Sequence, residues 1–319
     1  MTGAHRSSAH RVAGIDCGTN SIRLLIADPG DPDGLVDVHR EMRVVRLGEG
    51  VDRTGLLAAP AIERTRLALV DYAAIIDSLR VSAVRMVATS ASRDAGNAAE
   101  FVDMVRQVLG VNPEVITGTD EAALSFTGAI GGLPGVADPL LVADIGGGST
   151  ELVLGSPNRI PGDQKVIASY SMDVGCVRLT ERHLHDDPPT AAQIAATVSD
   201  LQAALEIASR TVPVTDAAAF VGVAGTVTTI AAIALGLPSY QPDAIHGSVI
   251  SRDQIAEVTE RLLSMSRQAR AALPVMHPGR VDVIGGGALI LRTIVEFVGA
   301  DEVIASEHDI LDGIALSLL

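Results

Sequence analysis

A chain of 319 residues, 47% of them hydrophobic, is long enough for two domains, and with four phenylalanines, three tyrosines and no tryptophan their cores must be aliphatic. Its 24 basic against 39 acidic side chains give a net charge of −15, which argues against a general binder of nucleic acid or of anionic membranes. Two cysteines far apart, Cys17 and Cys176, offer no disulfide framework and fit a reducing compartment.

Residues 1–10 read as a disordered tail, and the opening MTGAHRSSAHR has no apolar segment of the secretory kind, so a cytoplasmic protein is expected. Strands follow at about 11–17 and 22–28, then a turn at Pro29-Gly30-Asp31-Pro32 and a third strand at about 35–47. Gly48-Glu49-Gly50 breaks the pattern before a helix at about 60–79, where Ile62, Leu69, Ala73 and Ile76 recur at helical spacing. A strand at 83–88, a helix at 101–109 and a short strand at 114–116 lead to the stretch 117–121. Thr119 is the expected cap of the next helix, which runs to about Ile130, and Asp120 and Glu121 suit its positive end.

A Gly- and Pro-rich loop over 131–139 separates the halves. Later come a strand near 165–173, helices near 175–185 and 190–210, and a strand at 219–223. A Gly225-Thr226 turn, a helix near 252–264, a helix opened by Gly285-Gly286-Gly287, a strand at 303–305 and a C-terminal helix complete the chain. Strands and helices alternate throughout, which makes the class α/β. The span 217–237 holds 21 residues without a charge, long enough for a bilayer. Gly222, Gly225 and Gly236 interrupt it and no Lys or Arg flanks it closely, so a buried strand, a turn and a buried helix explain it better.

The stretch 140–155, LLVADIGGGSTELVLG, carries the chemistry. An apolar run ends in Asp144, and three glycines follow that can bring backbone N–H groups close to a ligand. Concave rows of such groups bind anions, phosphate above all. Asp144 stands where a hard cation such as Mg²⁺ would accompany a phosphate. A second copy lies near the N-terminus: aligned on the aspartates, Asp16 matches Asp144, Gly18 matches Gly146, Ser21 matches Ser149 and Leu25 matches Val153. Two such hairpins in one register suggest a duplicated domain with an anion site in the cleft between the halves.

Asp16-Cys17-Gly18-Thr19-Asn20-Ser21, then Thr89 to Arg93 (TSASR), Thr117-Gly118-Thr119-Asp120-Glu121-Ala122, Asp144 to Glu151 (DIGGGSTE), GVAGTVTT at 222–229 and a closing Asp312-Gly313 occur in that order. Together they resemble the exopolyphosphatase / guanosine pentaphosphate phosphohydrolase family of the actin-like phosphotransferase superfamily, in its short form, over nearly all of 11–319. The resemblance implies two actin-like (ribonuclease H-like) domains facing a cleft, 11–119 plus 307–319 and 120–306, with the last helix packing back on the first domain. It also implies Mg²⁺-dependent removal, with Mn²⁺ as a substitute, of the terminal phosphoryl group from inorganic polyphosphate or guanosine pentaphosphate. This chain departs from the pattern at Asp120, which replaces the first Glu of a common pair, and at Ala224, which replaces a frequent serine.

On that resemblance Glu121 is the expected general base, orienting and deprotonating the attacking water. Asp144 is assigned to the metal, with Glu151 as a direct or indirect partner and Asp16 either on the metal or bracing its loop. Gly146, Gly147, Gly148 and Ser149 should cradle the scissile phosphate, and Asn20 and Ser21 its other side. Arg93 and Arg23 are the expected bidentate cations on phosphate oxygens, although Arg23 has an equal claim to point away. Thr226 should meet a more distal phosphate. His183 and His185 read as a solvated helix end rather than a metal pair, and nothing near Cys17 supplies the base a thiolate nucleophile requires. The preferred function is an exopolyphosphatase. Its rivals are guanosine pentaphosphate hydrolysis with the same apparatus, a non-enzymatic polyphosphate or alarmone sensor, and an actin-like kinase. Neither nucleic acid nor membrane is expected as a partner, and a homodimer is left open.

Overall fold

The computed structural model describes residues 10–30, 34–133, 135–157 and 165–319. The expected tail, except His10, lies outside the described residues, as do Asp31 and Pro32 of the first turn and Pro134 of the loop between the halves.

The first half opens on an antiparallel meander of β1 (Val12–Cys17), β2 (Ser21–Pro29) and β3 (Leu35–Val44). A short helix α1 (Val51–Thr54) and the long α2 (Ala59–Ser78) lead to β4 (Ala83–Ala88), which returns parallel to β1. Then come α3 (Ser90–Asp94), α4 (Ala98–Leu109) and β5 (Glu114–Val115), giving the order β3-β2-β1-β4-β5. Pro60 sits in the first turn of α2, where its missing N–H has no helical partner to lose. Ala61, Ala68, Leu69, Tyr72 and Ile76 then fall on one buried face. The Tyr72 hydroxyl donates to the Ile22 carbonyl at 3.0 Å, pinning that helix to the sheet.

Next, α5 (Gly118–Ile130) crosses to the second half, where β6 (Leu140–Ile145), β7 (Thr150–Ser156) and β8 (Lys165–Met172) form another meander. After α6 (Cys176–His183) and α7 (Ala191–Ala208), β9 (Ala219–Val223) returns parallel to β6 and α8 (Ala224–Ala234) starts at once. The chain ends through α9 (Pro242–Ile245), β10 (Val249–Ser251), α10 (Arg252–Ser264), α11 (Arg267–Ala271), α12 (Ile284–Val298), β11 (Glu302–Ala305) and α13 (Ile310–Leu316). The second sheet runs β10-β11-β9-β6-β7-β8, so meander and parallel return repeat, with β10 added as an antiparallel edge. Among the described residues no helix is long and apolar enough to cross a membrane, and the uncharged span 217–237 folds as β9 and α8.

Each central strand is covered on both faces. Ala13, Ile15 and Cys17 of β1 face α2 and α4, while Val12 shares a cluster with Leu311 and Ala315 of α13. On the second sheet, Ala122, Phe126 and Ala129 of α5 meet Leu140, Val142 and Val223, and the opposite face carries the large aliphatic core under α7, α8, α10 and α12. At the crossing of α5 and α13 a Cβ on Gly128 would fall 1.7 Å from the Asp309 carbonyl oxygen. Gly128→Ala must therefore separate the two helices; the expected drop in Tm is ~2–5 °C, from an overpacking cost of about 1–3 kcal/mol. A variant melting with the wild type would contradict this packing.

Candidate active site

The two matching hairpins close with the same bond. Gly18 N–H donates to the Ser21 carbonyl at 3.0 Å, and Gly146 N–H to the Ser149 carbonyl at 3.1 Å. Behind the second turn stands the start of α6. Cys176 N–H donates to the Gly146 carbonyl at 3.0 Å, Val177 N–H to the Gly147 carbonyl at 2.9 Å, and Arg178 Nε to the Gly148 carbonyl at 2.8 Å. Across each trans peptide the following N–H points the opposite way. The N–H groups of Gly147, Gly148 and Ser149 therefore face away from α6, and none has a protein acceptor among the described residues. Gly147 and Ser149 border a cleft lined by both turns and by Asp16, Glu121, Asp144, Thr226 and Arg280.

The two turns approach each other closely. A Cβ on Gly148 would lie 2.5 Å from both Ser90 Oγ and Thr19 Oγ1, two oxygens that are themselves 2.9 Å apart. Asn20 donates through Nδ2 to the Gly279 carbonyl at 3.4 Å and leaves its Oδ1 buried without a partner. Asn20, Ser21, Gly146, Gly147, Ser149 and Thr226 all line the cleft, while Gly148 forms the seam between the halves.

Glu121 lies in the first turn of α5. The cap is Thr117, not Thr119: its Oγ1 accepts from Asp120 N–H at 3.2 Å, so the helix begins earlier than its sequence suggests. The Asp120 side chain is exposed, which places that departure from the family pattern away from the cleft. Glu121 is 7% exposed, and Arg93 Nη1 donates to its Oε2 at 3.0 Å while also reaching the Ile116 carbonyl at 3.2 Å. Burial pushes the Glu121 carboxyl up to about 7, against the pull of Arg93, with Asp144 and Asp16 adding to the rise. Arg93 thus meets the carboxylate rather than the cleft.

Asp144 and Glu151 are direct cross-strand partners on β6 and β7. Asp144 Oδ2 accepts from Ser125 Oγ at 2.6 Å, and burial lifts its carboxyl to about 7, with Asp309 as the largest charge contribution. Glu151, 1% exposed, accepts from Ser171 Oγ at 2.7 Å and is raised well above the usual carboxylate range by burial and by Glu121 and Asp144. It does not line the cleft. Asp16 Oδ2 accepts from Arg23 Nε at 3.0 Å and Nη2 at 2.6 Å, whereas its buried Oδ1 has no partner.

Arg23 lines the cleft beside the first turn. Its guanidinium is engaged by Asp16 on one side and by Asp309 on the other, so it braces the first turn against the start of α13. Arg280, which no motif singles out, takes a more open position. Its Nη1 donates to Thr229 Oγ1 at 3.0 Å, it lies against Gly225, and it borders the cleft without a carboxylate in ion-pair range among the described residues. Only the fold brings the stretch His277-Pro278-Gly279-Arg280 there.

His183 Nε2 sits 3.0 Å from Asp200 and His185 is exposed. Burial pushes the Cys17 thiol far up and that of Cys176 to about 11, so neither is a thiolate at neutral pH. Gly287 packs against Thr226, which accounts for the close approach of α12 to α8.

Among the described residues no cluster of three or more His, Cys, Asp or Glu side chains forms a ready metal cage. Mg²⁺ does not need one, since it keeps several waters and takes one or two carboxylates together with substrate phosphates. The orphaned Asp16 Oδ1 and the Asp144 carboxylate, both lining the cleft, suit that pattern. So does the concentration of buried carboxylates, which needs protons or a cation to offset mutual repulsion.

Comparison with known proteins agrees with this geometry. The chain is 52% identical over 320 residues to a Mycobacterium tuberculosis protein named exopolyphosphatase 2, covering 97% of this chain and 98% of that one. The crystal structure of an exopolyphosphatase-like protein superposes with a TM-score of 0.91 at 43% identity, covering 97% of this chain and 98% of that chain. The Aquifex aeolicus Ppx/GppA structure does so with a TM-score of 0.78 at 31% identity, covering 97% of each chain. Residues 25–319 match the Ppx/GppA phosphatase family, and with its duplicated sheets and shared cleft the chain belongs to that family in its two-domain, actin-like form.

Proposed function

We propose that the protein is a cytoplasmic exopolyphosphatase that releases terminal orthophosphate from inorganic polyphosphate. The observation that carries this reading is the Glu121 carboxylate, lifted to about 7 and oriented by Arg93, at the edge of a cleft bordered by unpartnered N–H groups of the glycine turn. The Gly147–Ser149 N–H groups hold the terminal phosphoryl group, and Asn20, Ser21, Thr226 and Arg280 hold its neighbours. With Oε2 fixed by Arg93, Glu121 Oε1 orients a water in line with the bridge. The water oxygen forms the new P–O bond, its proton passes to Glu121, and the bridging oxygen leaves on the shortened chain. Asp16 and Asp144 would hold Mg²⁺, which would neutralise phosphate charge there.

A second reading, guanosine pentaphosphate hydrolysis, draws on a cavity of about 530 Å³ adjoining the cleft. It shares Arg23, Gly225 and Arg280 with the cleft and adds Tyr240, Pro274, Met276 and Arg40, a mixed lining with room for a nucleoside behind the phosphates. Comparing kcat/KM for polyphosphates of several lengths with that for guanosine pentaphosphate tests the assignment. The primary reading expects the higher value on polyphosphate; a clear preference for the nucleotide would replace it with the second.

A further inference from the structure

Hydrolysis requires parts from opposite halves in register: the glycine turn and Glu121, which both belong to the second half, and the first half's Arg93, which orients Glu121. One side chain outside the cleft joins them. Arg178 Nε donates to the Gly148 carbonyl at 2.8 Å, Nη1 to Asp52 Oδ1 at 2.8 Å and Nη2 to Asp94 Oδ2 at 2.5 Å. Gly148 belongs to the turn, Asp52 to α1 and Asp94 to the end of α3, directly after Arg93. A guanidinium presents its donors in a rigid planar fork, so three such bonds fix three directions at once. A lysine ammonium, a point charge on a flexible stem, cannot.

An ion pair at a domain seam can be simply a surface tie, worth little. Two features set Arg178 apart. Its side chain is only 13% exposed, and one of its three bonds goes to the backbone of the phosphate turn itself. The shape of that turn does not depend on it, because Cys176 and Val177 N–H already hold the Gly146 and Gly147 carbonyls. What Arg178 adds is the position of the turn against the half that carries Arg93. Neighbouring contacts run along the same seam: Arg182 Nη2 reaches Asp52 at 3.0 Å, and Gly50 N–H donates to Glu181 at 3.2 Å.

We propose that Arg178 is a positioning residue for phosphoryl transfer, setting where the glycine turn stands relative to the half that supplies Arg93, Asn20 and Ser21, without touching the substrate. The inference rests on the hydrolytic reading above. It is tested with Arg178→Ala, Arg178→Lys and the double variant Asp52→Asn/Asp94→Asn, measuring orthophosphate release and Tm beside the wild type. Because the cradle stays built while its placement relaxes, the loss falls on kcat. A decrease of ~30- to 100-fold is expected in all three variants, with KM changed by less than ~3-fold. The near-isosteric double variant keeps the test valid should Arg178→Ala fail to fold. Turnover within ~3-fold of wild type in Arg178→Ala or in the double variant, or a loss carried by KM alone, overturns the proposal. A wild-type protein that releases no orthophosphate removes the hydrolytic reading and this inference with it, whereas an active wild type with unaffected variants removes the inference alone.

Discussion

Glu121→Gln is expected to lower kcat by at least ~100-fold, the low end for loss of a general base, while the fold is retained. Glutamine keeps the size of the side chain and an oxygen that can accept from Arg93, so the start of α5 has no reason to move. The buried carboxyl is held near 7 because its charged form is poorly solvated, which means the ionised group is unfavourable to the fold at neutral pH. Removing the charge should leave Tm unchanged or raise it. Near-normal turnover in Glu121→Gln would displace Glu121 as the base, and a collapsed Tm would show that its role is structural.

Chelation should have an equally large effect. EDTA is expected to abolish phosphate release and added Mg²⁺ to restore it; full activity in EDTA would remove Asp16 and Asp144 as metal partners. A second readout needs no substrate. Glu121 and Asp144 carry folded-state values of about 7, against 4.5 and 3.8 ordinarily, and Glu151 is raised well above its ordinary range as well. The folded protein therefore keeps protons that the unfolded chain has already lost. Their stabilising contribution is complete below about pH 4 and disappears as pH rises through about 7. The metal-free protein should accordingly lose Tm between pH 5 and pH 8. Mg²⁺ at pH 8 should recover part of it, and Glu151→Gln should flatten the slope. A Tm indifferent to both pH and Mg²⁺ over that range would contradict the buried carboxylate cluster.

Much of this architecture is legible in the sequence because the signals are local. The apolar runs ending in Asp16 and Asp144 announce strands, the turns after them can be aligned residue for residue, and both close with the same bond. Glu121 is found through the order of short motifs, and its place at the start of a helix follows from the residues around it. What escapes is set by distance along the chain. Arg23 is captured by Asp309, 286 residues away, and Arg280 reaches Thr229 from 51 residues downstream. Arg93 reads as a phosphate ligand from its motif, but the fold places Glu121 within its reach. The short helices α1, α3, α9 and α11 and the three-residue β10 carry no local signal either, because segments of that length owe their form to tertiary packing rather than to their own propensity. Thr117 takes the cap because it, not Thr119, stands three residues before the N–H that it accepts.

On this mechanism a water activated by Glu121 attacks the terminal phosphorus of a chain held between the two turns. Hydrolysis of polyphosphate in ¹⁸O-labelled water, followed by mass spectrometry of both products, tests it most directly. The mechanism predicts one labelled oxygen in each released orthophosphate and none in the shortened chain. Label in the shortened chain would place the attack on the wrong phosphorus, and absence of any release would leave the cleft as a binding site without chemistry.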